Sequence, residues 1–318
     1  MTKNNNPLVS IIVITYNSAK FVLETLESAK AQTYQNIELI ISDDGSTDNT
    51  VQICREWLKN NKESFVNTEL ITVEKNTGIP ANCNRGVNAS KGEWIKLIAG
   101  DDILTHDCLL KNISYVLKKP NVYIVFSKIK TFGDGIKQFS IRPSDGLKFH
   151  DESATNQFKI QLKGNIISYT PSSFIRKDLF NKIGMFNEDY KFIEDYPYWL
   201  NSTRNGFKLF FFDEVTVFYR VHTNSTHQNQ LNISQKKIGG TRLRLIKVRQ
   251  DLVYPYLSNI RRFKEYYEDF VAKVFFKLPY SSQFNKLYIF LTYYFNPFLW
   301  VLYVAKKVFK AKNIDYNF

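Results

Sequence analysis

Cysteine is nearly absent from this chain, with Cys54, Cys83 and Cys108 the only three in 318 residues. Their odd number, wide spacing and lack of a C-x-x-C pair exclude a disulfide framework and a zinc site of the usual pattern, and predict a reducing compartment. An apolar leader is missing as well. Residues 1–7, MTKNNNP, are polar and run straight into a strand-like segment, with no h-region or cleavage site of the secretory type, so the catalytic part is expected to stay cytoplasmic. Five N-x-S/T sequons, at Asn88, Asn112, Asn201, Asn224 and Asn232, therefore carry no weight; an Asn-rich sequence produces them by chance. No glycine-rich phosphate loop with a basic residue follows the first strand after Val13, which argues against a nucleotidyltransferase. Acid is scarce at one end only: residues 236–318 hold 16 Lys/Arg against 5 Asp/Glu, whereas residues 1–235 hold 27 against 25. The net charge of +13 thus belongs to the tail, and no recognised nucleic-acid motif accompanies it.

What is present reads as a globular chain, 44% apolar and 23% charged. Leu8 to Thr15, LVSIIVIT, is a nearly continuous β-branched run, the pattern of a parallel strand covered on both faces. Helical spacing of Val22, Leu26 and Ala29 follows, then a strand from Ile37 to Ile41 that stops at Asp43-Asp44-Gly45. Ser46 or Thr47 can cap the next helix, with Val51, Cys54 and Leu58 on its apolar side. Leu70 to Val73 reads as a third strand, a helix opens near Pro80, and the strand Trp94 to Ile98 ends at Gly100-Asp101-Asp102. An amphipathic stretch over 106–118 and a strand from Val122 to Phe126 come next. Beyond residue 147 the pattern predicts a short helix at Lys177 to Ile183, a helix from Glu194, and two aromatic strands, Leu209 to Phe212 and Val215 to Arg220.

Alternating β and α elements imply an open, mostly parallel sheet whose ligands sit outside the carboxyl ends of its strands. Three such ends carry Thr15-Tyr16-Asn17, Asp43-Asp44 and Asp101-Asp102, so carboxylates about 58 positions apart should converge on one crevice. Two adjacent carboxylates in a partly dehydrated site repel, and Mg²⁺ or Mn²⁺ removes that cost while bridging diphosphate oxygens. Gly-Asp-Asp is also a common capped turn. Asp44 can accept from the N3–H of a pyrimidine with Tyr16 against its ring, or Asp43-Asp44 can simply lead into an N-cap. Glu194-Asp195 opens a helix, where an acid either satisfies orphan amides or serves as a general base. His222 reads as a metal or phosphate ligand or as a structural histidine. Arg85 and Asn88 share a helical face that reaches phosphate or base, or only solvent.

Together these residues resemble the family 2 glycosyltransferases, the inverting group with the GT-A fold, over roughly residues 7–227. The order of motifs carries the resemblance: Val9-Ser10-Ile11-Ile12-Val13-Ile14-Thr15-Tyr16-Asn17, Asp43-Asp44-Gly45-Ser46-Thr47-Asp48, Asn76-Thr77-Gly78, Lys91-Gly92-Glu93-Trp94-Ile95, Gly100-Asp101-Asp102, then Glu194-Asp195 with Trp199. The resemblance implies a GT-A catalytic domain over 1–235, with a nucleotide-sugar half to about 130 and an acceptor half from 131. It implies that Tyr16 and Asp44 hold the uracil of a UDP-sugar, with Thr15, Asn17, Arg85 and Glu194 around the donor. Asp101 would hold the ribose, Asp102 and His222 a Mn²⁺ or Mg²⁺, and Asp195 would be the catalytic base. The metal motif departs from many members in having glycine where they carry a third aspartate. The Arg220-x-His222 element also looks like a family feature near the diphosphate.

Residues 236–318 are expected to be a helical, basic, aromatic extension. Between Lys286 and Lys306 lie 19 uncharged residues dense in Tyr, Phe and Trp and interrupted by Asn296-Pro297, which favours lying at a membrane surface over spanning it. Basic residues on either side, such as Arg242, Arg244, Arg261, Lys306 and Lys310, would face anionic headgroups. A hairpin packed on the catalytic domain and a homodimer contact are the alternatives. The resulting expectation is a transferase moving a hexose or N-acetylhexosamine to a lipid-linked saccharide, peripheral on the inner face of the cell membrane, in bacterial O-antigen or capsule synthesis. A non-catalytic nucleotide-sugar-binding scaffold is the competing reading.

Overall fold

The structure is a computed structural model; it describes residues 6–133, 140–143, 148–167, 169–190, 193–222, 240–278, 281–294 and 296–297. The chain divides into two compact units, Met1–Val221 and His222–Phe318. The first unit opens with β1 (Val9–Thr15), α1 (Val22–Lys30), β2 (Ile37–Asp43), α2 (Thr50–Asn61), β3 (Asn67–Thr72), α3 (Ile79–Ala89) and β4 (Trp94–Ala99). Strands β3, β2, β1 and β4 lie side by side and all parallel. β1 and β2 are almost wholly buried, as their continuous apolar runs require.

The remainder is β5 (Ile103–Leu104), α4 (Cys108–Leu117), β6 (Ile124–Phe132), β7 (Ile141–Arg142), α5 (Lys148–Asp151), α6 (Ala154–Gln161), a 3₁₀ turn (Thr170–Ser172), β8 (Phe174–Arg176), α7 (Asp178–Ile183), α8 (Asp195–Arg204) and β9 (Leu209–Arg220). Here the sheet becomes mixed. β8 runs antiparallel to both β4 and β6, while β9 runs parallel to β6 and antiparallel to β5. The full order is β3-β2-β1-β4-β8-β6-β9-β5, with β7 on β6. The two aromatic strands expected at Leu209 and Val215 are one strand, because a register shift opposite Phe126, Lys128 and Ile129 absorbs the extra residues and leaves Asp213 and Glu214 exposed. α2 begins at Thr50 rather than near Ser46: Asp43 takes the Ser46 amide, and Asp48 accepts from the Thr50 amide at 3.0 Å.

The second unit contains helices Gly240–Leu252, Asn259–Phe276 and Ser282–Ile289, followed by a π-helical turn, Phe290–Tyr294. No helix among the described residues is long and apolar enough to cross a membrane. The expected run 287–305 is described only at 287–294 and 296–297; its remainder, with Lys306, Lys307 and Lys310, lies outside the described residues, as do Asn224 and Asn232.

Candidate active site

The pairing of Ile14 with Ala99 and of Thr15 with Asp43 brings the carboxyl ends of β4, β1 and β2 to one edge of the sheet. β4 can leave that edge beside β1 because Gly100 has no side chain; a Cβ there would stand 2.8 Å from the Thr15 methyl carbon. The loops that emerge are knitted together by polar side chains. Asp43 accepts from the Thr15 hydroxyl at 2.7 Å, the Ser46 amide at 2.8 Å and the Ser46 hydroxyl at 2.6 Å. Asn17, in the left-handed region at φ 51°, accepts from the Thr47 amide at 2.8 Å. The Thr15 and Asn17 side chains, expected around the donor, thus hold the loop, and Tyr16, 48% exposed, stands at its rim.

Asp44 is buried and faces the opposite way from Asp43. Its carboxylate accepts from the Thr77 hydroxyl and amide, from the Gly78 amide at 2.9 Å and from Arg85 at 2.6 Å. Burial by itself would raise its pKa, but these donors outweigh it and hold the carboxyl below the usual range. Arg85 also reaches the Thr77 hydroxyl at 2.7 Å, so Asp44 after β2, Thr77 before α3 and Arg85 on α3 form one charged, hydrogen-bonded cluster.

Asp102 is buried, 1% exposed. One oxygen accepts from the Arg220 amide at 2.8 Å, and its backbone carbonyl takes the Thr25 hydroxyl at 2.7 Å. The Arg220 guanidinium lies between the rings of Phe21 and Phe132, bonds the Asp101 carbonyl and pairs with Glu24. Arg220 therefore braces the Asp101-Asp102 turn. Burial, then the neighbouring Asp101, pushes the Asp102 carboxyl well above its ordinary range, against the pull of Arg220 and Lys96.

Asp195 opens α8, where the helix dipole favours a negative charge. Its carboxylate accepts from the Thr170 hydroxyl at 2.9 Å and from the Tyr196 amide at 2.6 Å. Burial raises its pKa, with Thr170, the Tyr196 amide and Asn165 opposing. Glu194 precedes it at the N-cap position without making a capping hydrogen bond, and burial together with Asp195 pushes it up to about 8. Two buried groups feel Glu194 together with the acids that follow β2 and β4. The Tyr219 hydroxyl, raised by burial, feels Asp102, Asp101 and Glu194; the Cys83 thiol, also raised by burial, feels Glu194, Arg85 and Asp44.

A cation fits this chemistry at one point. Asp102 Oδ2 is buried without a hydrogen-bond partner among the described residues, and Asp101 adds a second hard oxygen donor beside it. No group of three or more His, Cys, Asp or Glu side chains capable of holding a metal occurs among the described residues, so ligand oxygens would have to complete the shell. His222, the other expected ligand, is the first residue of the second unit and is not counted with this crevice. Sequence reasoning missed Thr170 and Lys96. Thr170 carries no motif, but Lys96, a lone charge inside the apolar strand Trp94–Ala99, was a visible signal.

The model of Glycosyl transferase family 2 matches residues 10–184. A protein of Haemophilus influenzae named "Uncharacterized glycosyltransferase" is 28% identical over 244 residues, 74% of this chain and 72% of that one. A similarly named protein of Rickettsia typhi is 30% identical over 231 residues, 71% and 68% of the two chains. The structure of S. aureus TarS 1-349 in complex with UDP-GlcNAc matches with a TM-score of 0.56 at 19% identity, covering 90% of this chain and 76% of that one, although in a longer TarS structure the chain spans only 43% of the length. With the motifs in order, the parallel half-sheet that collects them and these relatives, the chain belongs to glycosyl transferase family 2, a transferase with a GT-A fold and additional C-terminal helices.

Proposed function

We propose that this enzyme moves a hexose or N-acetylhexosamine from a UDP-sugar to a hydroxyl of a saccharide, with inversion at the anomeric carbon. The observation that carries the reading is Asp195 at the start of α8, its carboxylate taking the Thr170 hydroxyl, next to Glu194, whose charge is felt by Tyr219 together with Asp101 and Asp102 and by Cys83 together with Asp44. The UDP-GlcNAc complex of the TarS neighbour supports a uridine-diphosphate donor. Asp44 and Arg85 with Tyr16 form the uracil side, and Asp101 faces the ribose. Asp195 takes the proton of the acceptor hydroxyl as that oxygen attacks the anomeric carbon. The bond from that carbon to the diphosphate oxygen breaks, and UDP leaves with the electron pair. Asp102, with Asp101 beside it, would hold a Mn²⁺ or Mg²⁺, which when bound would supply Lewis-acid stabilisation of the leaving diphosphate.

The test is turnover of a UDP-sugar panel with and without Mn²⁺, read as UDP release. Asp195→Asn is expected to lower the rate by about 10²–10⁴-fold while UDP binding by calorimetry stays intact. A rate at the parent level in this variant would remove the proposed base; binding without turnover in the parent would favour the scaffold reading.

We assign the second unit to the surface of an anionic membrane, with a lipid-linked, polyprenyl-diphosphate type of acceptor and a place in bacterial surface-polysaccharide synthesis. In the helix Asn259–Phe276 the acids turn to arginine: Arg242 bonds Glu265, Glu268 and Asp269 at 2.7–2.8 Å, and Arg249 also reaches Glu265. The same helix exposes Phe263, Tyr266, Phe270 and Val274 together with Lys273 and Lys277, an aromatic and cationic stripe suited to lying in a headgroup layer.

A further inference from the structure

β4 and β8 pair only at Trp94 with Arg176 and Ile95 with Ile175. Past that point the chain before β8 leaves the ladder and winds into the 3₁₀ turn Thr170–Ser172. Lys96, the next residue of β4, is 0% exposed, and its ammonium donates to the carbonyls of Pro171 at 2.8 Å and Ser173 at 3.3 Å. No carboxylate comes within ion-pair distance of it among the described residues, although Asp102 lies near enough for the two charges to act on each other. Burying an ammonium without an ion pair is costly, and an apolar side chain of similar length would fill the space without that cost. What the ammonium adds is donors for two carbonyls, at the place where the strand ladder has ended. On its other side the turn is tied to β6, where the Ser127 amide donates to the Ser172 hydroxyl at 3.1 Å. This turn presents the Thr170 hydroxyl to Asp195, and Trp199 on α8 approaches the same hydroxyl at 3.5 Å.

We infer that Lys96 is a positioning residue of the transfer reaction, its ammonium fastening the Thr170–Ser172 turn to the strand that ends in Asp101-Asp102 and so fixing the Asp195 carboxylate against the donor motif. One strand then aligns both halves of the reaction: the turn that follows it carries the donor-side acids Asp101 and Asp102, and its buried ammonium governs the base. The inference rests on Asp195 as the base. Misplacing a reacting group by about 1 Å can cost about 10²-fold, so a loosened turn acts on turnover before it acts on binding.

The experiment compares Lys96→Met, Thr170→Val, the double variant and Asp195→Asn in the full chain, measuring UDP release from UDP-sugars and UDP binding with Mn²⁺. Lys96→Met is expected to lower kcat about tenfold or more with the donor KM within about threefold of the parent, the signature of an interaction that matters in the transition state. Thr170→Val should behave alike, and the double variant should be no slower than the slower single one. Multiplying effects, or a parent-like kcat in either single variant, overturn the inference even if Asp195→Asn is inactive. An active Asp195→Asn instead overturns the functional reading beneath it. If Lys96→Met does not fold, Thr170→Val still decides. A crystal structure of Lys96→Met in which Thr170 keeps its bond to Asp195 overturns the inference without any turnover measurement.

Discussion

Glu194 and Asp195 are neighbours in a half-buried place, and only one of them is well supplied with donors. Glu194 is therefore the group that keeps its proton, up to about pH 8 against an ordinary value of 4.5. Between those limits the folded protein binds more protons than the unfolded chain. The stability Glu194 contributes is full below the unfolded value and is lost as pH rises through the folded one. Glu194→Gln has no such proton to lose. Its melting temperature relative to the parent is expected to be a few degrees higher at pH 8.5 than at pH 5, measured by scanning fluorimetry; an unchanged difference would show that Glu194 is not held protonated. At Asp43-Asp44 neither carboxylate became the helix cap that the sequence allowed, because α2 begins only at Thr50; partners elsewhere in the chain set their roles, Ser46 and Thr15 occupying Asp43 and Thr77, Gly78 and Arg85 occupying Asp44.

Among the elements, β1 and α3 show how tightly the parallel part of the sheet is packed. Gly86 of α3 lies over Ile12, and a Cβ at that position would be 2.3 Å from the Ile12 Cγ2. Alanine improves helix propensity by about 1 kcal/mol, but overpacking a core costs about 1–3 kcal/mol, so the clash wins or at best cancels. Gly86→Val, which cannot escape the contact, should lose more than Gly86→Ala in urea unfolding. Both should weaken UDP binding, because Arg85 is the adjacent residue. β1, β2 and β4 and the intervening helices were legible because a parallel strand buried on both faces is a continuous apolar run and the helices keep their own period, whereas β3, at the sheet edge and nowhere fully buried, begins at Asn67 rather than Leu70. β9 was harder to read. Asp213-Glu214 looks like a break between two strands, yet the pair is exposed within one strand, with Asp213 in an ion pair with Lys128 of β6.

At the scale of the whole molecule, charge and chemistry are separated along the chain. Nearly all the excess positive charge lies beyond residue 235, and within the helix Asn259–Phe276 the described carboxylates turn to Arg242 and Arg249. The protein is expected to sediment with vesicles containing anionic phosphatidylglycerol at low salt and to stay in solution with neutral vesicles. Raising the salt to about 1 M shortens the screening length to about 3 Å and should release much of it. Phe270→Ser should weaken vesicle binding several-fold without changing UDP affinity. Failure of the parent to sediment with anionic vesicles at low salt would dissociate the second unit from the membrane.

The sequence by itself determined the alternation of strands and helices in the first half, the ends where acids gather, and the charge asymmetry of the tail. These are local or periodic properties, set by neighbours a few residues apart and by the burial each pattern demands. Only the tertiary structure decided that Asp43 binds Thr15 and Ser46 while Asp44 binds Thr77, Gly78 and Arg85, that Arg220 supports the Asp101-Asp102 turn from 118 residues or more away, and that Lys96 holds the turn whose Thr170 meets Asp195. A polar side chain takes its role from whichever donor or acceptor the fold brings within about 3 Å, and that partner's distance along the chain leaves no periodic trace.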